Sequence, residues 1–317
     1  MTPQERRRAR LFELYGFHFP AELERVYAFC RSLKPLDPLR ALEESLGFTL
    51  VGPFEVLDGR FDRIDPPAPM LLHHRRPWEL PEFFPVMVAE DGSQHWGYFL
   101  DDPDAGAPSC AALTDRGAGP GASLEGDSLA GGLRLWVEQA AADLEQEGPD
   151  PGMTEAQARE VVSMLVNCRG LTQRIAKAAG VNLPAQTGDA YIRASAEALA
   201  DRDALVTLPT QDGTGIVAPP ETCRTTANLT RLHEAVWRKA GVAWLQRMAR
   251  RALDSGRPGL ALFIGRELWA PGTRRRRAIA SPILEEAYTM LGRPTLAKVV
   301  VAERAHADRV WRDIGKA

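Results

Sequence analysis

The stretch ALDSGRPGLALFIGRELW, residues 252–269, limits the possible folds of this chain more than any other segment. Gly256, Pro258 and Gly259 cannot continue a regular helix, because proline lacks the amide donor and glycine forfeits backbone entropy. The segment therefore predicts the end of one helix, a tight turn, and a second helix that is apolar on almost every side. Such a helix has no face to give to water, so it must sit inside a larger helical assembly. Leu260, Leu262, Phe263, Ile264 and Leu268 are expected in that core, each worth roughly 1.5–3 kcal/mol when buried. The turn must expose Asp254, Ser255 and Arg257. Polar groups held out on a buried helix are often where binding or catalysis is placed, although a merely wet connection has the same composition.

With 317 residues, 44% hydrophobic and 26% charged, the chain can bury enough apolar surface for two domains. A net charge of -3 argues against non-specific nucleic-acid binding as the main task, but leaves room for a local basic patch. The cysteines at 30, 110, 168 and 223 are too scattered for a disulfide framework and lack C-x-x-C spacing, which suits a reducing interior. The N-terminal MTPQERRRARLFELYGF has no apolar segment or cleavage site. Nowhere does an uncharged apolar run approach the ~20 residues of a membrane span. The expected setting is the cytoplasm, or the nucleus if the source is eukaryotic, with no membrane contact.

Element signals run along the chain in two blocks. Pro20 can open a helix with Phe19, Leu23, Val26, Tyr27 and Cys30 on one face. In DPLRALEESLG, Asp37 reads as an N-cap, Pro38 as the first helical residue and Gly47 as the stop. FTLVGPFEVL reads as strand, and FFPVMVAEDGSQHWGYFLDD as two strands joined at Asp91-Gly92. Gly106 to Gly126 reads as a loop before a helix with Leu129, Leu133, Trp136, Val137, Ala140 and Leu144 in one stripe. EQEGPDPGM, Glu145 to Met153, marks a boundary. Beyond it, Thr154 and Gln157 form a capping box ahead of Val161, Met164, Leu165 and Cys168. ALVTLP and GTGIVAPP form a hairpin around Gln211-Asp212-Gly213, and ANLTRLHEAVWRKAGVAWLQRMARRAL runs as one long helix. Ser281-Pro282 starts another helix that Gly292 stops, and a last one lies near 295–306. The fold class is α+β: an N-terminal domain over 1–147 with an antiparallel sheet, then a mainly helical C-terminal domain over 154–317 with a hairpin near 204–220.

His73 and His74, beside Arg75 and Arg76, could suggest a metal or phosphate site. A solvated loop is expected instead, since adjacent histidines tend to diverge and no Cys, Asp or Glu set accompanies them; no metal is expected. GTGIVAPP lacks the lysine and the strand-to-helix context of a phosphate loop, and nothing else calls for a cofactor. His95, Trp96 and Tyr98 read as packing and edge residues. Between 247 and 277 stand nine arginines (247, 250, 251, 257, 266 and 274–277) against Asp254 and Glu267, a formal excess of seven positive charges. A charge run is usually a solvated face. Here Arg274, Arg275, Arg276 and Arg277 flank the polar turn, so a surface that meets acidic groups is a fair expectation.

Several stretches together resemble the histone PARylation factor family, the accessory subunits that join poly(ADP-ribose) polymerases and direct modification onto serine. These are GFHFPAELERVYAFC, DPLRALEESLGFTLVGPFEVLDG and FFPVMVAEDGSQHWGYFLDDPD in the first half. In the second they are GTGIVAPP, GLALFIGRELWAPGT and PILEEAYTMLGRPTLAKVVVAE. LGFTLVGPFEVLDG is the most specific of them. The N-terminal half is also similar to the SUKH fold group, whose bacterial members often neutralise toxins.

The resemblance implies a non-enzymatic partner of an ADP-ribosyltransferase, in which a helical domain lends a glutamate at the mouth of the transferase site. That carboxylate takes the proton of an acceptor serine, which is a poor nucleophile unless a positioned base assists it. Ungapped alignment on GLALFIGRELW puts the family's Asp-Glu pair on Asp254 and Ser255, and its active-site arginine near Arg224. The aspartate and arginine are retained and the glutamate is not. Because Arg274, Arg275, Arg276 and Arg277 flank the loop that the family presents to its partner, the resemblance also implies contact with an acidic partner surface, nucleic acid or an ADP-ribose chain. A one-residue slip would put Asp254 in the base position, one methylene shorter; Arg224 and Asp254 could also form a structural ion pair. The rival reading is a SUKH-like immunity protein with a toxin as partner. A stand-alone enzyme is disfavoured, since the chain shows no nucleophile elbow, metal-ligand set or nucleotide loop.

Overall fold

In the computed structural model, the residues described are 2–66, 68–106, 109–115, 121–147, 154–156, 159, 170, 174 and 189–308. The arginine-rich N-terminus forms a helix the sequence pattern did not suggest, α1 (Pro3–Tyr15), opened by a Thr2/Glu5 capping box with Pro3 in the first turn. The stripe Leu23, Val26 and Cys30 is buried on α2 (Glu22–Leu33). DPLRALEESLG, expected as one helix, breaks into a 3₁₀ turn (Pro38–Arg40) and α3 (Glu43–Leu46). Asp37 makes no cap bond, and Leu42 is drawn into a bridge with Phe48. FTLVGPFEVL is strand only over β1 (Phe48–Leu50); the rest turns into α4 (Pro53–Asp58). Pro53 suits the first helical turn, and the Glu55 carboxylate accepts the Gly52 amide at 2.9 Å.

The hairpin at Asp91-Gly92 joins β2 (Phe83–Ala89) to β3 (Gln94–Leu100). The stretch expected as a loop contains two more strands, β4 (Ser109–Asp115) and β5 (Ser123–Gly126). Its small residues serve close packing rather than looseness: Ala111 and Ala112 are fully buried, and a Cβ on Gly132 of α5 (Leu129–Glu147) would stand 2.9 Å from that of Ala111. The five strands form one antiparallel meander in chain order.

After the meander and α5 come α6 (Asp189–Asp203) and the expected hairpin, β6 (Val206–Leu208) with β7 (Ile216–Val217). The boundary at 145–153 and the helix expected over 154–168 fall largely outside the described residues. The long helix expected from Ala227 is two, α7 (Leu229–Val236) and α8 (Lys239–Asp254), broken at Trp237-Arg238. The second folds back so closely that a Cβ on Gly241 would collide with the Ala235 carbonyl. Next come α9 (Pro258–Trp269), α10 (Arg274–Met290) and α11 (Pro294–Ala305). α10 does not start at Ser281-Pro282; Thr273 caps it and Pro282 lies inside it. Among the described residues no helix is long and apolar enough to cross a membrane.

All twelve residues of α9 are buried, as its composition requires, and one apolar cluster from Leu11 to Val300 joins the sheet to the helices. The seam between them is polar. The Glu303 carboxylate on α11 accepts from Arg75 at 3.1 Å and from Arg277 at 2.8 Å. Arg75 also donates to the carbonyls of Leu80 and Phe83, while Arg277 lies over the Trp269 ring at 3.9 Å. Trp269 in turn donates its indole N–H to the Glu79 carbonyl at 2.9 Å. The Glu79 side chain accepts from His95 at 2.6 Å, from Thr114 at 3.2 Å and from the Arg76 amide at 2.9 Å. Burial would push the Glu79 carboxyl up; His95 and Arg75 outweigh it and hold the group below the usual carboxylate range.

This seam corrects the reading of the basic run. Arg274 and Arg275 are exposed and Arg276 is half-buried over Trp237, but Arg277 is only 5% exposed. Burial, opposed by Glu303, pushes Arg277 down to about 10, so it stays charged at neutral pH. Arg266 is buried as well, held by Asp212, Thr214 and the Gly215 carbonyl. Two of the nine arginines thus belong to the interior. Arg277→Glu should cost about 3–5 kcal/mol, because it faces a buried carboxylate with another. Arg275→Glu, on the same helix, should stay within about 0.5 kcal/mol. Chemical denaturation of the two variants checks this; equal midpoints would refute the structural role of Arg277.

Candidate functional site

The α8–α9 turn is built by hydrogen bonds that close the end of one helix and start the next. The Ser255 amide bonds to the Arg251 and Ala252 carbonyls, the Gly256 amide to Leu253, and the Arg257 amide back to Ala252 at 2.8 Å. Gly256 takes φ 68°, the left-handed geometry that ends a helix without a Cβ clash. Pro258 then opens α9. Asp254 and Ser255 stand exposed, as the turn chemistry demands, and Leu260, Leu262, Phe263, Ile264 and Leu268 are at most 1% exposed behind them.

Ser255 is committed to the turn itself. Its hydroxyl donates to the Arg251 carbonyl at 2.7 Å and lies 3.2 Å from that of Ala252, adding a side-chain donor to carbonyls that the turn's amides already engage. Its oxygen accepts from the Arg257 Nε at 3.0 Å. The same guanidinium donates through Nη1 to the Arg224 carbonyl at 3.2 Å, tying the segment after the 3₁₀ turn Pro220–Cys223 to the α8–α9 turn. Gly259 permits that approach, since a Cβ there would run into Thr222 and Cys223.

Arg224 thus lies beside the turn through its backbone, and its exposed side chain makes no ion pair among the described residues. Asp254 pairs with Arg250, one helical turn earlier, at 3.2 Å, and not with Arg224. Arg250 also reaches Glu286 of α10 at 2.6 Å. Such exposed pairs are worth at most ~1 kcal/mol, so Asp254 can exchange partners readily. The Arg250–Asp254 spacing of four was visible in the sequence; the approach of Glu286 was not. The exposed part of the basic run borders a groove between α8 and α10, lined by Trp237, Lys239, Val242, Gln246, Arg275 and Arg276.

The two histidines correct another expectation. They do not diverge: both Nε2 atoms turn onto one carboxylate oxygen of Glu55, His73 at 2.6 Å and His74 at 3.4 Å. Burial would raise the Glu55 carboxyl, but the histidines outweigh it and hold it below the usual range. No local pattern announces this, because Glu55 sits 18 residues before His73 and meets it only through the fold of α4. His95, Trp96 and Tyr98 are buried packing residues as expected, but they are not edge residues, since β3 is the central strand of the five.

The sequence profile of the family described as Histone PARylation factor 1 matches residues 6–222 of this chain. Mouse (Mus musculus) Histone PARylation factor 1 is 26% identical over 314 residues, covering 92% of this chain and 84% of its own length. The cattle (Bos taurus) protein of the same name is 25% identical over 311 residues, with the same coverage. A human (Homo sapiens) protein named putative histone PARylation factor 1-like is 23% identical over 309 residues, covering 90% and 82%. The profile match ends before the α8–α9 turn, whereas the mouse and cattle alignments cover most of each chain. With more than two thirds of its length matched by that profile, the chain belongs to the Histone PARylation factor 1 family.

Proposed function

We propose that this protein is an accessory subunit of an ADP-ribosyltransferase of the poly(ADP-ribose) polymerase class. It presents the α8–α9 turn to the transferase and influences which acceptor is modified. The observation that carries the reading is the state of Ser255, at the position to which the ungapped alignment brings the family's glutamate. Its hydroxyl proton is given to helix-end carbonyls and its oxygen is occupied by Arg257. Such a group holds its proton too tightly to serve as a base near neutral pH. The protein would therefore bind its transferase without supplying serine-directed proton abstraction. Asp254 would act in recognition, together with Arg224 and Arg257.

Ser255→Glu tests this directly. The exposed turn has room for the longer side chain, and losing the Ser255 hydroxyl's bonds should cost about 1–2 kcal/mol, which thermal melting of the variant checks. A placed general base contributes typically 10²- to 10⁴-fold, so even a misoriented carboxylate should raise serine-linked ADP-ribosylation of a peptide by the cognate transferase. Ser255→Gln is the uncharged control. Equal activity of the Glu and Gln variants would remove proton abstraction at this position, and strong modification with wild type would point to Asp254 as the base. Affinity capture from the native host that yields a toxin instead of a transferase would favour the SUKH-like immunity reading.

The exposed arginines should serve association. Reversing Arg274 and Arg275 to glutamate, with Arg277 untouched, should leave the melting temperature nearly unchanged and weaken transferase binding at low salt. The loss should shrink as salt rises. A salt-independent loss would remove electrostatic steering from the account.

A further inference from the structure

We infer that Glu55, His73 and His74 form a binding site for a divalent transition-metal ion of the zinc type, apart from the α8–α9 turn. One carboxylate oxygen and two imidazole nitrogens, all within 4.8 Å of one another, converge at the N-terminal end of α4. Two imidazoles and a carboxylate are a recurrent donor set for zinc, which bonds each donor at about 2.0–2.1 Å and so spaces its ligand atoms about 3.3 Å apart. The 3.4 Å from His74 Nε2 to Glu55 Oε2 matches that spacing, and the 2.6 Å from His73 would widen slightly. The Glu55 side chain is 2% exposed, whereas those of His73 and His74 are 21% and 34% exposed. Three protein ligands would then hold the ion from the inner side and leave the outer positions to water.

Hydrogen bonding alone does not account for the cluster. A carboxylate oxygen has two lone pairs, and those of Oε2 are filled by the Gly52 amide at 2.9 Å and by His73 at 2.6 Å. His74 comes to the same oxygen as a third and more distant group, at 3.4 Å. It does so at a backbone φ of 58°, the sole non-glycine positive φ among the described residues, a geometry that histidine adopts at a cost and glycine does not. A cation between the three groups would use a nitrogen lone pair on each imidazole and give the strained residue a partner. The Arg60 guanidinium lies on the other oxygen, Oε1, and so leaves Oε2 facing the histidines, although its charge weakens the site.

The test uses the full chain, without a polyhistidine tag, stripped of metal by chelator dialysis and titrated calorimetrically with zinc chloride. Cobalt(II) serves as a second, spectroscopic probe of tetrahedral nitrogen and oxygen ligation. The wild type should take up one zinc per chain and melt at a higher temperature with zinc than without. His74→Gly removes one ligand and relieves the positive φ, so the metal-free variant should fold and melt at or above wild type while its zinc affinity falls about tenfold or more. His73→Gln should weaken zinc likewise. The site is refuted if the wild type binds no stoichiometric zinc, or if His74→Gly, which retains His18, His95, His233 and His306, binds it as tightly as wild type.

Discussion

The Glu303 carboxylate, held between Arg75 and the Arg277 that lies over the Trp269 ring, is the contact on which the arrangement of this molecule depends. Arg75 belongs to the connection that leads into the sheet, and Arg277, Trp269 and Glu303 belong to three successive helices. Through these groups α9, α10 and α11 are docked on residues 75–83, and so is everything they carry. Replacing a buried ion network with well-packed apolar groups is often neutral or favourable for stability, whereas breaking it from one side is costly. The network therefore does more to fix one orientation of the helices than to add net stability. The apolar cluster that surrounds it is non-directional and would accept several orientations.

That orientation gives the α8–α9 turn its shape. α9 is buried along its whole length, and Gly259 lets the 3₁₀ turn Pro220–Cys223 approach its start. Arg257 then binds Ser255 on one side and the Arg224 carbonyl on the other. The backbone of the turn is held by its own hydrogen bonds, while Asp254 remains on the surface with only a solvent-screened partner. Ser255 is thereby spent on holding the turn, and Asp254 is the carboxylate the turn presents at the surface.

Charge distribution follows the same division between interior and surface. A formal excess of seven over 247–277 looks like one basic face in the sequence, but Arg266 and Arg277 neutralise buried carboxylates and contribute nothing to that face. What remains exposed is grouped along α8 and in the first turn of α10, where Arg275 and the half-buried Arg276 line the groove beside Trp237. An acidic partner meeting this surface would sense a weaker field than the sequence count suggests.

Sequence alone determined those features that depend on local chemistry. The break at Gly256 to Gly259, the buried helix after it, the hairpins at Asp91-Gly92 and near Gln211-Gly213, the stripe of α2, and Leu129, Leu133 and Val137 of α5 follow from propensity and period. The exposure of Asp254 and Ser255 was legible for the same reason. Small-residue strands such as β4 were not, because alanine packed against a helix has the composition of a loop. Neither was the helix after β1, where a capping carboxylate outweighed the β-branched pattern. Only the tertiary structure decided that Arg277 is interior, that Asp254 pairs with Arg250 rather than Arg224, and that Glu55 meets two histidines. Each of these last turns on which helix lies against which segment, a choice set by long-range packing and buried charge and not written in any window of the chain.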